Sequence, residues 1–205
     1  MTKAGTALVV DWAVAARTLG GESESGDLHV VAGFPGGALA AAIDGLGHGP
    51  EAAQAAAAAA AVLTRDAGAP VARLVDACHA ELRKTRGVVM SLASFDRVSG
   101  TVAWVGVGDV EAVLLRADPA RGSRESILLR GGVVGYQLPP LRAATLAVWP
   151  GDVMIFATDG VRRDFVAESV NDRDPQAIAD DLLAAYAKGS DDALVLVVRY
   201  QGDCG

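Results

Sequence analysis

The order of strand-like and helix-like segments is the sequence feature that most restricts the fold. Short apolar runs typical of strands come first, two helical segments follow as a block, and then come many strands, one helix and a last strand. A doubly wound sheet needs regular alternation of strands and helices, which this order lacks. The order instead predicts an α+β fold, an α-β-β-α layered sandwich of two antiparallel β-sheets flanked by helices.

The clearest local element is a hairpin near the N-terminus. Two apolar runs, 28–32 and 38–43, are joined by Gly33-Phe34-Pro35-Gly36-Gly37, a turn-forming sequence. Asp27 precedes the first run and Asp44 follows the second. The ends of an antiparallel pair lie side by side, so the pattern predicts that these two carboxylates meet across a shared site.

The remaining elements follow from periodicity and from helix-end residues. Pro50 and Glu51 are suited to the first turn of a helix, and the alanine-rich stretch after them continues it. Helices are predicted at 50–63, 70–86 and 174–189, and further strands at 4–16, 88–95, 101–107, 110–116, 126–130, 144–148, 153–157 and 193–200.

Composition limits the class of protein. A chain of 205 residues with 51% hydrophobic and 21% charged side chains predicts one compact domain covering residues 1–205. The net charge of -7 and the lack of a basic cluster argue against a nucleic-acid partner. The sequence shows no signal peptide and no uncharged apolar stretch of about 18 residues, which predicts a cytoplasmic protein with no membrane partner.

The segment Asp44-Gly45-Leu46-Gly47-His48-Gly49 lies where the hairpin passes into the first helix. A carboxylate at the tip of a strand suits a hard cation, and glycines allow backbone carbonyls and a ligand to approach closely. Taken alone, the segment is more typical of a plain turn than of a site, because Asp-Gly is a common turn dipeptide and glycine-rich joints between strands and helices are frequent.

The hypothesis of a site depends on other aspartates that also lie in turns beside apolar runs. There are four such places, and their aspartates are Asp27, Asp44, Asp159 and Asp191. Together with the Gly45 carbonyl they form an all-oxygen donor set, which Mg²⁺ and Mn²⁺ prefer. Two such ions about 3.5 to 4 Å apart bind a phosphoryl oxygen and activate a water. Hydrolysis of a phosphate monoester is therefore the predicted reaction.

Histidine offers one further candidate. None of the three histidines suggests a Ser/His/Asp arrangement, but His48 is next to the predicted metal site. Its side chain is expected either to protonate a leaving group or to make a hydrogen bond at the helix start.

Four motifs in order resemble one family. They are Glu24-Ser25-Gly26-Asp27, the segment from Asp44 to Gly49, Ala157-Thr158-Asp159-Gly160-Val161 and Asp191-Asp192-Ala193. In spacing they are similar to the metal-dependent type 2C (PPM) serine/threonine phosphatases, in particular the bacterial SpoIIE-like branch. The resemblance implies the layered sandwich, two Mn²⁺ or Mg²⁺ ions and a metal-activated water.

The resemblance also implies roles for individual residues. Asp44 is similar to the aspartate that bridges both metals, and the Gly45 carbonyl to a ligand of one of them. Asp159 and Asp191 resemble ligands of the other metal. Asp27 matches an aspartate that acts through metal-bound water.

Two assignments stay open. Asp109, in Gly106-Val107-Gly108-Asp109, is either a ligand for a third, weaker metal or part of a plain turn. Arg17 is the one arginine available to hold the phosphate as in the eukaryotic branch, and it is otherwise a surface residue at a strand end.

The short, stand-alone RsbX-like members of the branch suggest the substrate. They imply that the chain dephosphorylates STAS-domain scaffold proteins of the stressosome in a bacterial stress-signalling pathway. Two alternatives are kept: action on a free anti-anti-sigma factor, and a catalytically silent pseudophosphatase that only binds its partner. The surface loops 131–140 and 164–174 are the predicted recognition segments.

Overall fold

The computed structural model describes residues 9–126, 129–165 and 173–202. The α-helices of this part of the chain are α1 (Pro50–Arg65), α2 (Val71–Glu81) and α3 (Pro175–Tyr186). Its strands are β1 (Val10–Arg17), β2 (Asp27–Phe34), β3 (Gly37–Gly45), β4 (Val88–Asp96), β5 (Thr101–Val107), β6 (Glu111–Leu115), β7 (Arg124–Glu125), β8 (Ala144–Ala147), β9 (Val153–Ala157) and β10 (Ala193–Tyr200).

The strands form two five-stranded sheets. Sheet one has the order β1-β10-β9-β6-β7, and sheet two has the order β2-β3-β4-β5-β8. The strand pairs within both sheets are antiparallel. Helices α1 and α2 cover the outer face of sheet two, and α3 covers that of sheet one. The predicted α+β sandwich is confirmed.

Alternation along β3 shows how the layers are separated. Ala38, Ala40 and Ala42 belong to the core between the two sheets, whereas Leu39 and Ile43 belong to the core beneath α1 and α2. Successive side chains of a strand point to opposite faces, so a strand buried on both faces is apolar throughout. The run 38–43 is completely buried for this reason.

The alanine-rich helix α1 packs closely on sheet two. Ala52, Ala55, Ala56 and Ala59 have no exposed surface, and small side chains at these positions let the helix axis approach the sheet. The alanine run therefore forms a tight helix-on-sheet contact. No helix in the described ranges is long and apolar enough to cross a membrane.

Two predicted elements differ from the structure. The predicted strand 126–130 is replaced by β7, which pairs with β6 through Leu114 and Glu125, because a short 3₁₀ turn at Pro119–Arg121 brings the chain back early. Arg130 makes a single bridge to Val107, and residues 127–128 lie outside the described part. Residues 4–8 of the predicted first strand also lie outside it.

The second predicted helix is shorter than expected. It ends at Glu81, and a 3₁₀ turn, Leu82–Lys84, follows it. The Thr85 hydroxyl donates to the Leu82 carbonyl and accepts from the Gly87 N–H, so a side-chain turn replaces the last helical turn.

Candidate metal centre

The hairpin of β2 and β3 brings the first two aspartates together. Asp27 is directly opposite Asp44 in the register of this antiparallel pair, as the sequence predicts. Asp44 continues the alternation of Ala40 and Ala42, so it lies on the face of β3 that is turned toward sheet one. Asp27 is buried and Asp44 is partly buried.

Sheet one contributes the other two aspartates. Asp159 follows the end of β9 and Asp191 precedes β10 by two residues. Ala157 pairs with Val195, so the end of β9 lies beside the start of β10. The charges of Asp159 and Asp191 both act on Asp44, which places all four aspartates at one end of the sandwich.

Thr158 connects the two sheets at this end. Its hydroxyl donates to Asp27 Oδ2 at 2.7 Å and accepts from the Leu194 N–H at 2.9 Å. The donor and acceptor functions of one hydroxyl are thus both used. Thr158 therefore positions a carboxylate of sheet two from a loop of sheet one, a role that the sequence analysis did not assign.

Asp192 is a second residue that sequence reasoning missed. Its Oδ1 accepts from the Leu19 N–H and its Oδ2 from the Gly26 N–H, both at 2.7 Å. Both oxygens therefore hold the loop that leads into β2 and Asp27. The adjacent pair Asp191-Asp192 is the sequence feature that could have indicated this role. Of two neighbouring carboxylates at a strand start, one can face the site while the other holds a loop.

Burial and mutual repulsion dominate the electrostatics. The pKa of Asp44 is raised to about 9, first by burial and then by the charges of Asp27, Asp159, Asp109 and Asp191. The pKa of Asp27 is raised to about 7, first by burial, although the hydrogen bond from Thr158 opposes the change.

Burial followed by the charge of Asp191 also raises the pKa of Asp159, and Lys188 and Arg163 partly counter this. Carboxylates crowded in this way are stabilised as anions by a nearby cation. The electrostatics of the cluster therefore suit a divalent metal.

Gly45 can offer only its backbone. A Cβ atom at this position would lie 2.2 Å from the Ala52 carbonyl oxygen, so the start of α1 leaves no room for a side chain. The Gly45 N–H donates to the Gly26 carbonyl at 3.0 Å, which fixes the peptide beside Asp44. The carbonyl is the remaining group able to serve as a ligand.

The donor set fits magnesium or manganese chemically, because it consists entirely of carboxylate and carbonyl oxygens. Within the described ranges, no three His, Cys, Asp or Glu side chains lie close enough together to hold a metal ion by themselves. A site built from these residues would need water to complete each coordination shell, as Mg²⁺ commonly does.

Asp109 and Arg17 lie at the margins of the site. Asp109 follows the end of β5, and its carboxylate is 3.7 Å from Arg163, which also lies 3.7 Å from Glu111. Arg17 is exposed at the end of β1, opposite Ala193, and therefore near the start of β10. The structure thus brings both residues to the edge that carries the four aspartates.

His48 makes a contact that sequence reasoning did not anticipate. Its Nδ1 atom is 2.6 Å from Glu22 Oε1. His48 directly precedes Gly49, the N-cap residue of α1, so this contact lies at the entry of the helix.

Comparison with protein-family models matches residues 35–201 to the model described as Stage II sporulation protein E (SpoIIE). The chain therefore belongs to the SpoIIE family of PP2C-type phosphatases. A comparison with curated proteins found no match.

Solved structures support the same class. One similar structure comes from work on the bacterial stressosome, described as a modular system that has been adapted to control secondary messenger signaling. It is 29% identical to this chain and has a TM-score of 0.85, and the match covers 93% of this chain and 99% of that one. RsbX in complex with magnesium has a TM-score of 0.82 at 19% identity, with coverage of 93% and 94%. The PP2C phosphatase domain of SpoIIE from Bacillus subtilis has a TM-score of 0.78 at 20% identity, with coverage of 96% and 64%. The last two show a shared fold.

Proposed function

We propose that this protein is a Mn²⁺- or Mg²⁺-dependent phosphoserine/phosphothreonine protein phosphatase, formed by one domain over residues 1–205. The observation that carries the proposal is the convergence of Asp27, Asp44, Asp159 and Asp191 between the two sheets, where burial and repulsion raise the pKa values of three of them. Proteins of this family generally use Mn²⁺ or Mg²⁺, and the all-oxygen donor set fits either ion.

Each residue has a proposed role. Asp44 would bridge two metal ions, the Gly45 carbonyl would bind one of them, and Asp159 and Asp191 would bind the other. Bound metal would neutralise the phosphoryl charge and supply an activated water. Asp27, held by Thr158, would act from the outer shell of ligands.

Residues at the margin have narrower roles. Asp109 would hold a third, weaker metal. Its carboxylate is 3.7 Å from Arg163, a long ion pair that Asp109 would give up to bind the metal. Arg17 would contact the phosphate from the edge of sheet one. His48 would protonate the leaving oxygen of the substrate side chain.

For the substrate, we propose phosphorylated STAS-domain proteins of a stressosome, dephosphorylated in the cytoplasm to reset a stress-signalling pathway. The likeness to the structure from the stressosome study and to RsbX supports this choice. Loop 131–140 is a recognition segment that presents Tyr136 with 83% of its surface exposed. The second predicted segment, 164–174, lies largely outside the described residues.

The test is phosphate release from a phosphorylated STAS-domain protein with Mn²⁺, with Mg²⁺ and with a chelator. Asp44→Asn is expected to lose at least about 100-fold in kcat, because it removes the proposed bridging carboxylate. Asp76→Asn, the same change at an exposed site on α2, is the matched control. Activity that survives Asp44→Asn or the chelator would contradict the mechanism.

The same assay separates the alternatives. Faster release from a free anti-anti-sigma factor than from a stressosome scaffold would favour the former as substrate. Tight binding of the phosphorylated partner without turnover, together with no Mn²⁺ binding in calorimetry, would indicate a pseudophosphatase.

A further inference from the structure

Glu22, a residue outside the sequence motifs, contacts His48 beside the candidate metal centre. Glu22 belongs to the loop between β1 and β2, whereas His48 lies between β3 and α1. The distance from Glu22 Oε1 to His48 Nδ1 is 2.6 Å, and the His48 side chain keeps 60% of its surface exposed. A short contact of this kind between a carboxylate and an imidazole is a charge-assisted hydrogen bond when the ring is protonated.

The loop that carries Glu22 is fixed in place. Asp192 accepts hydrogen bonds from the N–H groups of Leu19 and Gly26, on either side of Glu22. The Glu22 N–H itself donates to the Leu19 carbonyl at 3.1 Å, which closes a turn. Glu22 therefore reaches His48 from a loop anchored to sheet one.

The backbone beside His48 is also adapted to Glu22. Gly49 has a φ of 75°, and a Cβ atom there would lie 2.7 Å from Glu22 Oε2. Glycine accepts this backbone conformation and leaves space for the carboxylate. The carboxylate lies at the N-terminal end of α1, where negative charge is favourable.

The contact decides which nitrogen of His48 carries a proton. An ionised carboxylate only accepts hydrogen bonds, so Nδ1 must be the donor. The other nitrogen, Nε2, has no hydrogen-bond partner among the residues that the structure describes. It is free to meet a substrate oxygen.

We propose that Glu22 is a positioning residue that holds His48 so that Nε2 delivers a proton to the leaving oxygen of the substrate; this rests on the proposed phosphatase function. As water forms its bond to phosphorus, the bond from phosphorus to the serine or threonine oxygen breaks. The electron pair left on that oxygen takes the Nε2 proton. His48 becomes neutral with Nδ1–H still bonded to Glu22, and is reprotonated from solvent, which also receives the proton of the attacking water.

The dependence on the leaving group tests the proposal. An alkoxide from phosphoserine needs a proton, whereas the p-nitrophenolate released from p-nitrophenyl phosphate does not. Glu22→Ala is expected to lower kcat for a phosphoserine protein about 10-fold and for p-nitrophenyl phosphate less than about twofold. His48→Gln is expected to show the same selectivity, and the double variant should lose no more than His48→Gln alone.

Glu24→Ala is the matched control, because it removes an exposed carboxylate from the same loop. It should leave both substrates unaffected. A second readout is the ¹⁵N NMR spectrum of the metal-free protein, in which neutral His48 should be the Nδ1–H tautomer and should lose that preference in Glu22→Ala.

The outcomes distinguish a failure of this inference from a failure of the proposed phosphatase function. If the unmodified protein hydrolyses both substrates and Glu22→Ala slows both equally, or slows neither, the positioning role is wrong. If the unmodified protein hydrolyses neither substrate with Mn²⁺, both the proposed function and the positioning role are wrong.

Discussion

The two ends of the sandwich each contain a cluster of charged side chains with buried carboxyl groups, and the two clusters are built in opposite ways. At the end distant from the candidate site, Asp152 is 1% exposed and accepts from the Arg116 guanidinium and from the N–H groups of Ala117 and Trp149. At the site end, Asp44 has other carboxylates as its charged neighbours, and no donor to its side chain lies among the described residues.

The difference separates structural from functional acid groups. A buried carboxylate that is paired and hydrogen-bonded stabilises the fold around it, whereas crowded carboxylates without a cation are unfavourable until a ligand compensates them. Perturbed pKa values of this kind are typical of functional sites. Asp152 therefore serves the fold, and Asp44 serves the proposed chemistry.

Replacing aspartate by asparagine at each end tests this difference with the largest expected effect. Asp44→Asn is expected to remove phosphatase activity, by at least about 100-fold, and to raise the Tm of the metal-free protein, because it removes a repelled carboxylate. Asp152→Asn is expected to lower the Tm and to leave kcat unchanged. Thermal unfolding and phosphate release on both variants check this, and a fall in Tm for both would contradict it.

Removing Arg116, the cation of the distant cluster, should have the next largest effect, on the free energy of unfolding. Arg116→Met leaves Asp152 buried without its partner and is expected to cost about 3–5 kcal/mol in the free energy of unfolding. Urea unfolding measures it. The double variant Arg116→Met with Asp152→Asn should recover part of the loss, because no buried charge remains unpaired and the asparagine oxygen still accepts a backbone hydrogen bond. A double variant no more stable than the single one would contradict this explanation.

The site cluster should make the metal-free protein less stable as the pH rises. The folded pKa values of about 7 for Asp27 and about 9 for Asp44 lie above the ordinary value of 3.8. The folded state therefore binds more protons than the unfolded state over this range, and stability falls as pH increases from 5 to 9. We expect a loss of about 2–4 kcal/mol by urea unfolding.

Mn²⁺ should reverse the loss, since a bound cation favours the ionised carboxylates. Asp44→Asn in the metal-free protein is the control, and its stability should depend less on pH. An unchanged or rising stability between pH 5 and 9 in the unmodified protein would contradict the electrostatic description of the site.

The smallest expected effect concerns the link between the sheets. Thr158→Val removes the hydroxyl that donates to Asp27 and accepts from the Leu194 N–H, and is expected to cost about 1–3 kcal/mol in the free energy of unfolding. Thr158→Ser keeps the hydroxyl and should retain most of the stability. A Thr158→Val protein that is as stable as the unmodified one, or more stable than Thr158→Ser, would contradict this role of the hydroxyl.

The local parts of this protein were predictable from sequence. The hairpin of β2 and β3 follows from two apolar runs and a glycine-rich turn, and it alone places Asp27 opposite Asp44. The alanine run 52–63 and its proline start predict α1. In each case the deciding interactions join residues near in the chain, so propensity and alternation carry the information.

Contacts between distant segments could not be predicted in this way. Asp192 holds Gly26 across 166 residues, and Thr158 holds Asp27 across 131. A sequence pattern shows that such residues are polar and lie in turns, but it does not show which of them meet. The same holds for β7, whose place depends on the turn before it, and for the contact between Glu22 and His48.

The sequence by itself determined the class of fold, the two aspartates of the hairpin and an oxygen-rich donor set, because strand alternation, helix starts and turns are local physical chemistry. The tertiary structure alone decided that Asp191 and Asp192 have different tasks, that Thr158 joins the sheets and that Glu22 reaches His48. Those arrangements depend on how two sheets pack, and packing is settled by the whole core.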